Sequence, residues 1–311
     1  MYFVTLVLNS GDKLDKLLFN CTLCPRNCGV NRTENLKGFC GAGKNLKVAR
    51  ADLHFWEEPC ISGEKGSGTV FFSNCTLKCV FCQNRRISNE GVGEEISIGK
   101  LADIFLKLQD KGALNINLVT PTHYIPHIIS ALDIAKNNGL LLPIVYNTSG
   151  YEKASTIKML EGYIDIYLPD LKYYNDKYAT KYSNAPEYFK YASEAIAEMV
   201  RQTGPVTFDE TGIVKKGTIV RHLMLPGLLF DSKKVIDYLY TTYRDDIYIS
   251  IMNQYTPMND FKQFPELNKK ISQDYYNCLI DYAVELGIKN AYIQDEETAD
   301  VSFIPEFYDK V

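Results

Sequence analysis

The chain lacks any apolar run near the roughly 20 residues of a membrane helix, which argues against a helical membrane protein. It also lacks positive charge in excess: 34 Lys and Arg stand against 38 Asp and Glu, a net charge of −4. Broad binding to nucleic acid or to a membrane surface needs clustered positive charge, so at most a local basic cleft is expected. No short-period repeat or low-complexity tract is present. The opening Met-Tyr-Phe-Val-Thr-Leu-Val-Leu is short, with neither a basic lead nor a small-residue cleavage pattern. It reads as a poor secretory leader, and the expected localisation is cytoplasmic. What remains is an ordinary globular composition over 311 residues, 46% hydrophobic and 23% charged. That length buries a sizeable core, as two domains or as one large α/β barrel.

Cysteine is where the sequence is rich. Eight of the nine cysteines fall in the first 82 residues (Cys21, Cys24, Cys28, Cys40, Cys60, Cys75, Cys79 and Cys82), with only Cys278 beyond. Disulfide scaffolds are small secreted chains, so closely spaced cysteines in a long chain without a leader point to metal ligation.

The first 66 residues differ from the rest. They hold Cys21 to Cys40 with Pro25, Gly29 and Gly38 between them, and little apolar periodicity. Such a segment does not order itself through its own hydrophobic burial, so residues 1–66 are expected to form a small metal-organised module. The glycine-rich stretch Ser62-Gly-Glu-Lys-Gly-Ser-Gly68 reads as the connection into a main body, residues 67–311.

From Thr69 onward strand and helix patterns alternate. Strands are expected at 69–73, 116–120, 140–146, 163–168, 218–225, 247–252 and 291–294. Helices are expected at 98–111, 126–137, 153–160, 187–202, 232–243 and 265–286. Several strands are continuous apolar runs, as parallel strands buried on both faces require. The alternation implies βαβ crossovers, in a partial barrel or a doubly wound sheet. Either way function gathers at the carboxyl ends of the strands. The polar groups Asn74-Cys75, Thr120-Pro-Thr-His123, Asn147-Thr-Ser-Gly150, Asp170-Leu-Lys172 and Asn253-Gln254 stand there. Arg221 and His222 lie within the fifth strand, where one of two neighbours faces inward.

Directly after the first main-body strand comes Cys75-Thr-Leu-Lys-Cys79-Val-Phe-Cys82-Gln-Asn84, with no fourth cysteine close behind. Three thiolates on one loop hold three irons of a [4Fe–4S] cube and leave the fourth iron open, as a reaction needs. The structural alternative is a zinc site completed by a distant ligand.

This spacing, with Phe81 before the third cysteine and Asn84 behind it, resembles the radical S-adenosylmethionine superfamily. The likeness is nearest to proteins similar to pyruvate formate-lyase activating enzymes, in the PflX-like branch. It extends over Ser67-Gly-Thr-Val-Phe-Phe-Ser73, Asn115-Ile-Asn-Leu-Val-Thr-Pro-Thr-His123, Val145-Tyr-Asn-Thr-Ser-Gly-Tyr151, Asp165-Ile-Tyr-Leu-Pro-Asp-Leu-Lys-Tyr173 and Arg221-His-Leu-Met-Leu-Pro-Gly227, nearly the whole chain. The resemblance implies an α/β fold, a partial (β/α) barrel, with a [4Fe–4S] cluster near its mouth. The amino and carboxylate groups of S-adenosylmethionine would chelate the fourth iron. One electron then releases methionine and a 5′-deoxyadenosyl radical, which takes hydrogen from a substrate in the barrel. The electron donor implied is a flavodoxin or a ferredoxin.

Carried over residue by residue, the resemblance makes Cys75, Cys79 and Cys82 the cluster ligands and places Phe81 by the adenine, with Asn84 beside the loop. The second strand of such proteins usually ends in a Gly-Gly-Glu-like motif that binds the methionyl amine. Thr120-Pro-Thr122 takes its place here, leaving the hydroxyls of Thr120 and Thr122 and backbone carbonyls as acceptors. Asn147, Thr148, Asp170 and Lys172 match residues that hold the cofactor and a monovalent cation, and Arg221 matches a fifth-strand arginine at the cofactor's polar groups. Plainer readings stand beside these: Asn147-Thr-Ser-Gly as a turn, Asp170 and Lys172 as a surface ion pair, Arg221 packed against a carboxylate. For His123 a helix-start role competes with acid–base work, and for His54, His127 and His222 the structural reading is favoured.

Cys21, Cys24, Cys28 and Cys40 form a further set, spaced to bind one zinc or one fully ligated iron–sulfur cluster. Cys60 is either a substitute ligand or a buried thiol. The leading functional expectation is hydrogen abstraction from a protein or peptide, including a glycine backbone. The second is a radical enzyme acting on a small molecule or nucleotide. The third, of another class, is an iron–sulfur electron carrier or zinc interaction module. Activating enzymes with added clusters usually carry them after the radical loop, whereas the extra cysteines here precede it.

Overall fold

The computed structural model describes residues 10–258, 260–294 and 307, so the opening stretch read above as a poor secretory leader lies outside the described residues. The strands are β1 (Leu46–His54), β2 (Ser67–Phe72), β3 (Glu94–Ile96), β4 (Ile116–Val119), β5 (Ile144–Thr148), β6 (Ile166–Pro169), β7 (Thr207–Phe208), β8 (Val214–Leu223), β9 (Tyr248–Met252) and β10 (Ala291–Ile293). They form one sheet in the order β10-β9-β8-β6-β5-β4-β2-β1-β3, with β7 paired to β8. From β2 to β10 the main path is parallel, each strand beside the next one expected from the sequence. The ends, β3 and β10, do not pair with each other, so the barrel is open.

Parallel strands need crossovers, and helices supply them. Ile98–Asp110 is typical: Ser97 caps it by accepting from the Lys100 N–H (3.1 Å), while Leu101, Ile104, Phe105 and Leu108 are buried. On the sheet's outer face Val70, Phe72, Ile116, Leu118, Ile144, Tyr146 and Tyr167 share a core with this helix and Ile125–Asn137. The alternate residues Val145, Ile166, Leu168 and Ile219 meet Cys60, Ile61 and Val214 in a second core inside the barrel. The period of two along a strand thus becomes an outer and an inner layer.

Before residue 67, where the sequence shows little apolar periodicity, the structure nonetheless has regular elements. Helix Ser10–Phe19 precedes the cysteines, and β1 pairs antiparallel with both β2 and β3. The apolar residues of this segment are buried against the main body: Cys40, Ala42, Leu46 and Val48 belong to the outer core, and Cys60 and Ile61 to the inner one. Burial by a partner strand leaves no amphipathic period in the segment itself, so these elements were not legible in it. Cys60 is a buried thiol of the inner core.

Candidate active site at the mouth of the barrel

The cysteine loop leaves the carboxyl end of β2 through Asn74, whose backbone is left-handed (φ 76°), and turns again at Lys78 (φ 61°). Buried Leu77 roots it in the core, and the Val80 N–H donates to the Tyr182 carbonyl (2.9 Å). Each thiol receives a donor: the Leu77 N–H reaches Cys75 Sγ (3.4 Å), the Ser183 hydroxyl Cys79 Sγ (2.9 Å) and the Ser88 hydroxyl Cys82 Sγ (3.3 Å). Burial pushes the Cys79 thiol up to about 12 and raises that of Cys82; Cys79 also feels the charges of Cys82 and Cys75, and Cys82 that of Cys75. Phe81 is buried edge-on to Tyr255, with ring centroids 6.1 Å apart. Asn84 opens the short helix Arg85–Ser88 without a side-chain cap.

Four of the expected pocket residues come together. Asp170 accepts from Arg221 Nε (3.1 Å) and from Lys172 Nζ (2.5 Å). Arg221 also donates through Nη2 to Asn147 Oδ1 (2.5 Å) and through Nη1 to Glu57 Oε2 (3.2 Å). Glu57 accepts in addition from Asn117 (3.1 Å) and Asn147 (3.3 Å). The Asp170 and Lys172 side chains are only 17% and 15% exposed, so they are not a surface ion pair, while Arg221 does pack against carboxylates. Burial acts to raise Asp170, but Lys172 and Arg221 outweigh it and hold the carboxyl below its usual range. Burial lifts Glu57 and Glu58 above theirs despite Arg221.

The threonines have a different partner. Thr122 and Thr148 each donate to Glu152 Oε1 at 2.5 Å, joined by the Tyr146 hydroxyl at 3.2 Å. Glu152 is fully buried, its Oε2 has no partner, and burial pushes its carboxyl up to about 7. A hydroxyl that donates keeps acceptor lone pairs, so both threonines remain acceptors oriented by Glu152. Thr120, a β-branched residue, is held at φ 58°, a strained conformation that its N–H bond to the Asn147 carbonyl (2.9 Å) helps fix.

His123, His127 and His222 are buried, each donating one ring N–H to a backbone carbonyl, of Ser73, Lys44 and Leu171 respectively. Burial holds His123 down at about 3 and the other two at about 4, which leaves them neutral structural groups.

Of the N-terminal set, Cys21, Cys24 and Cys40 are buried and Cys28 is exposed; all nine cysteines of the chain are free thiols. Arg32 Nη1 lies 3.8 Å from Cys21 Sγ, and the Ala42 N–H donates to Cys40 Sγ (3.5 Å). Burial, reinforced by Cys40 and Cys21, raises Cys24 to about 12. Cys40 is raised by burial and lies in the field of Cys21 and Cys28. Among the described residues no three Cys, His, Asp or Glu side chains are already drawn into one ligand set, at either cysteine group.

Glu57, Glu58, Asn117, Glu152 and Arg32 escaped the sequence reading. The available signal was Glu57-Glu58 before Pro59-Cys-Ile61, a pair of acids leading into an apolar stretch.

An open βα barrel with a three-thiol loop and a buried ionic network at its strand ends is the framework of a cofactor-dependent α/β enzyme. The Radical SAM superfamily profile matches residues 69–238, a little over half of the chain, and the protein belongs to that superfamily of enzymes. An uncharacterized protein of Methanocaldococcus jannaschii, MJ0674, is 29% identical over 280 residues, covering 87% of this chain and 75% of its own. Streptococcus suis SuiB bound to S-adenosylmethionine is similar with a TM-score of 0.48 and 17% identity, over 76% of this chain and 51% of its own. A domain of pyruvate-formate lyase-activating enzyme from Bacteroides vulgatus is similar with a TM-score of 0.39 and 15% identity, over 55% of this chain and 93% of its own. The chain spans about half the length of SuiB, 47% in the complex with the precursor peptide SuiA.

Superfamily membership implies a [4Fe–4S] cluster and S-adenosylmethionine. The donor chemistry fits: Cys75, Cys79 and Cys82 share one short loop, each sulfur already accepting an N–H or O–H as a thiolate ligand does. Free thiols take such bonds singly, and binding a cluster draws the side chains together.

Proposed function

We propose that this protein is a radical S-adenosylmethionine enzyme of the PflX-like branch, resembling pyruvate formate-lyase activating enzymes, that abstracts hydrogen from a protein or peptide. The observation that carries the reading is the adjoining of the three-thiol loop and the buried network, with Lys172 in the field of Cys79. When bound, the cluster and S-adenosylmethionine supply a 5′-deoxyadenosyl radical on one-electron reduction. Cys75, Cys79 and Cys82 hold the cluster, and Phe81 with Asn84 flanks the adenine. Asp170, Lys172 and Arg221 present paired charges, and Asn147 its amide, to the methionyl group and to a monovalent cation, while Thr120, Thr122 and Thr148 offer oxygens to the amine. A glycine backbone of a glycyl-radical enzyme is the substrate this reading favours, with flavodoxin or ferredoxin as donor.

Residues 1–66 supply a second metal site through Cys21, Cys24, Cys28 and Cys40, zinc or an auxiliary iron–sulfur cluster, beside the barrel of residues 67–311. Its support is the backbone N–H on Cys40 and the Arg32 guanidinium beside Cys21. A small polar substrate is the second reading, favoured by two buried acceptors without partners inside the barrel, Glu58 Oε2 and Asn117 Oδ1.

The test is anaerobic reconstitution with S-adenosylmethionine and a reductant, followed by a peptide and metabolite screen for deuterium transfer into deoxyadenosine. Transfer from a peptide supports the first reading, transfer from a metabolite the second. Absence of deoxyadenosine at full iron content refutes both.

A further inference from the structure

The N-terminal cysteine segment lies against the radical loop at several points, and one residue touches both cysteine groups. The Arg26 backbone N–H bonds to Cys24, while its side-chain Nε donates to the Thr76 carbonyl (2.9 Å), between Cys75 and Cys79. The guanidinium is stacked 3.7 Å from the centroid of the Phe39 ring and lies 5.1 Å from that of Tyr151. On the loop side Lys78 Nζ lies over the same Phe39 ring, 5.5 Å away. A side chain added at Gly41 would press on Asn74, the residue before Cys75. Arg26 interacts electrostatically with Cys24, Cys75 and Cys79. Its Nη2 is buried and has no hydrogen-bond partner, although the neighbouring Nε is satisfied.

A buried guanidinium N–H without a partner is costly unless an acceptor completes it. Arg is always charged and accepts nothing, so the missing partner is an anion or a polarisable acceptor. The anions that the Cys75–Cys79 side of the loop would hold are the thiolates and sulfides of the cluster. Hydrogen bonds to cluster sulfurs and nearby positive charge favour the reduced state, because reduction adds negative charge.

We infer that Arg26 tunes the radical-loop cluster from the N-terminal segment, donating its free Nη2 to cluster sulfur and raising the cluster's reduction potential. This rests on the radical S-adenosylmethionine reading of Cys75, Cys79 and Cys82. It gives the cysteine segment that precedes the barrel a role in the reaction whichever metal it binds: it carries the arginine to the loop.

The test uses the full chain, reconstituted anaerobically with iron and sulfide, and follows only the paramagnetic signal that changes when S-adenosylmethionine is added. That restriction separates the radical cluster from any centre at Cys21–Cys40. In Arg26→Gln the midpoint of this signal shifts to more negative potential at undiminished iron content, and in Arg26→Lys, which keeps the charge without the fork, it lies between the two. An unshifted midpoint in Arg26→Gln overturns the inference. If Arg26→Gln does not retain iron, Arg26→Lys decides: a midpoint equal to that of the unaltered protein overturns it, an intermediate shift supports it. A changed affinity for S-adenosylmethionine with the cofactor-free midpoint unmoved also overturns it, since the acceptor would then be the cofactor's carboxylate. No responsive signal in the unaltered protein refutes the underlying radical reading instead.

Discussion

At the scale of single residues, Asp170 is the hinge of the buried network. Removing it strands Lys172 and leaves Arg221 with Glu57 as its remaining carboxylate, both cations having little exposure. Breaking a buried pair in this way costs about 3–5 kcal/mol of stability. Asp170→Ala is therefore expected to lower the melting temperature and to weaken S-adenosylmethionine binding at least about tenfold, worth about 1.4 kcal/mol, with iron content unchanged. Calorimetry on reconstituted protein checks it, and unaltered affinity would reject the pocket role. Glu152 supports a pH prediction. Its folded-state carboxyl is raised to about 7 by burial, above the unfolded value near 4.5. The folded state thus holds a proton that the unfolded state has released, so the stabilising margin is whole below about pH 4.5 and shrinks as pH rises toward 7. Glu152→Gln should gain on the unaltered protein by about 3 kcal/mol across that interval, at about 1.4 kcal/mol per pH unit. Urea unfolding at a series of pH values measures the difference, and parallel curves would contradict it. Asp170, Lys172 and Asn147 were legible because each follows an expected apolar strand, and Arg221 because it is a charge inside one. Glu152 and Glu57 were not, because they meet partners distant in sequence, such as Thr122 and Arg221.

At the scale of elements, the end of β5 depends on one glycine. Gly150 has φ +77°, and a methyl group there would run into the Asp170 carbonyl oxygen at the end of β6. Backbone cannot move aside as a side chain can, so Gly150→Ala should destabilise by about 1–3 kcal/mol through strain at a special backbone conformation. It should also weaken S-adenosylmethionine binding, because Asp170 is displaced; denaturation and binding on the same sample would separate the two effects. The cysteine-bearing segment yields another expectation. If Cys21, Cys24, Cys28 and Cys40 bind one metal, protein with Cys75, Cys79 and Cys82 all changed to Ala retains it. X-ray absorption would then show four sulfurs, at about 2.3 Å for zinc. Metal-free triple variant after loading would dismiss the second site. The parallel strands were readable here since burial on both faces makes them apolar throughout, whereas β1 draws its order from pairing with β2, and β3 from pairing with β1.

At the scale of the molecule, the radical loop and most of the sheet are held by different cores. The outer and inner cores hold no residue of Cys75–Cys82, whereas Leu77, Cys79 and Phe81 pack with Val220, Ile249 and Ile251 of β8 and β9 in a third. The Cys75, Cys79 and Cys82 triple Ala variant should thus keep its far-ultraviolet circular dichroism while forming no 5′-deoxyadenosine. Undiminished deoxyadenosine would sink the cluster assignment. By itself the sequence determined the alternation of strands and helices, the three-thiol loop after β2 and the polar strand ends, because periodicity and short spacing are local properties of a chain. The tertiary structure alone decided that Glu57 rises to meet Arg221, that Glu152 receives Thr122 and Thr148, and that Arg26 reaches the radical loop. Those contacts join residues separated by up to 164 positions, and no local pattern encodes a charge whose neutralising partner arrives only when the strands align.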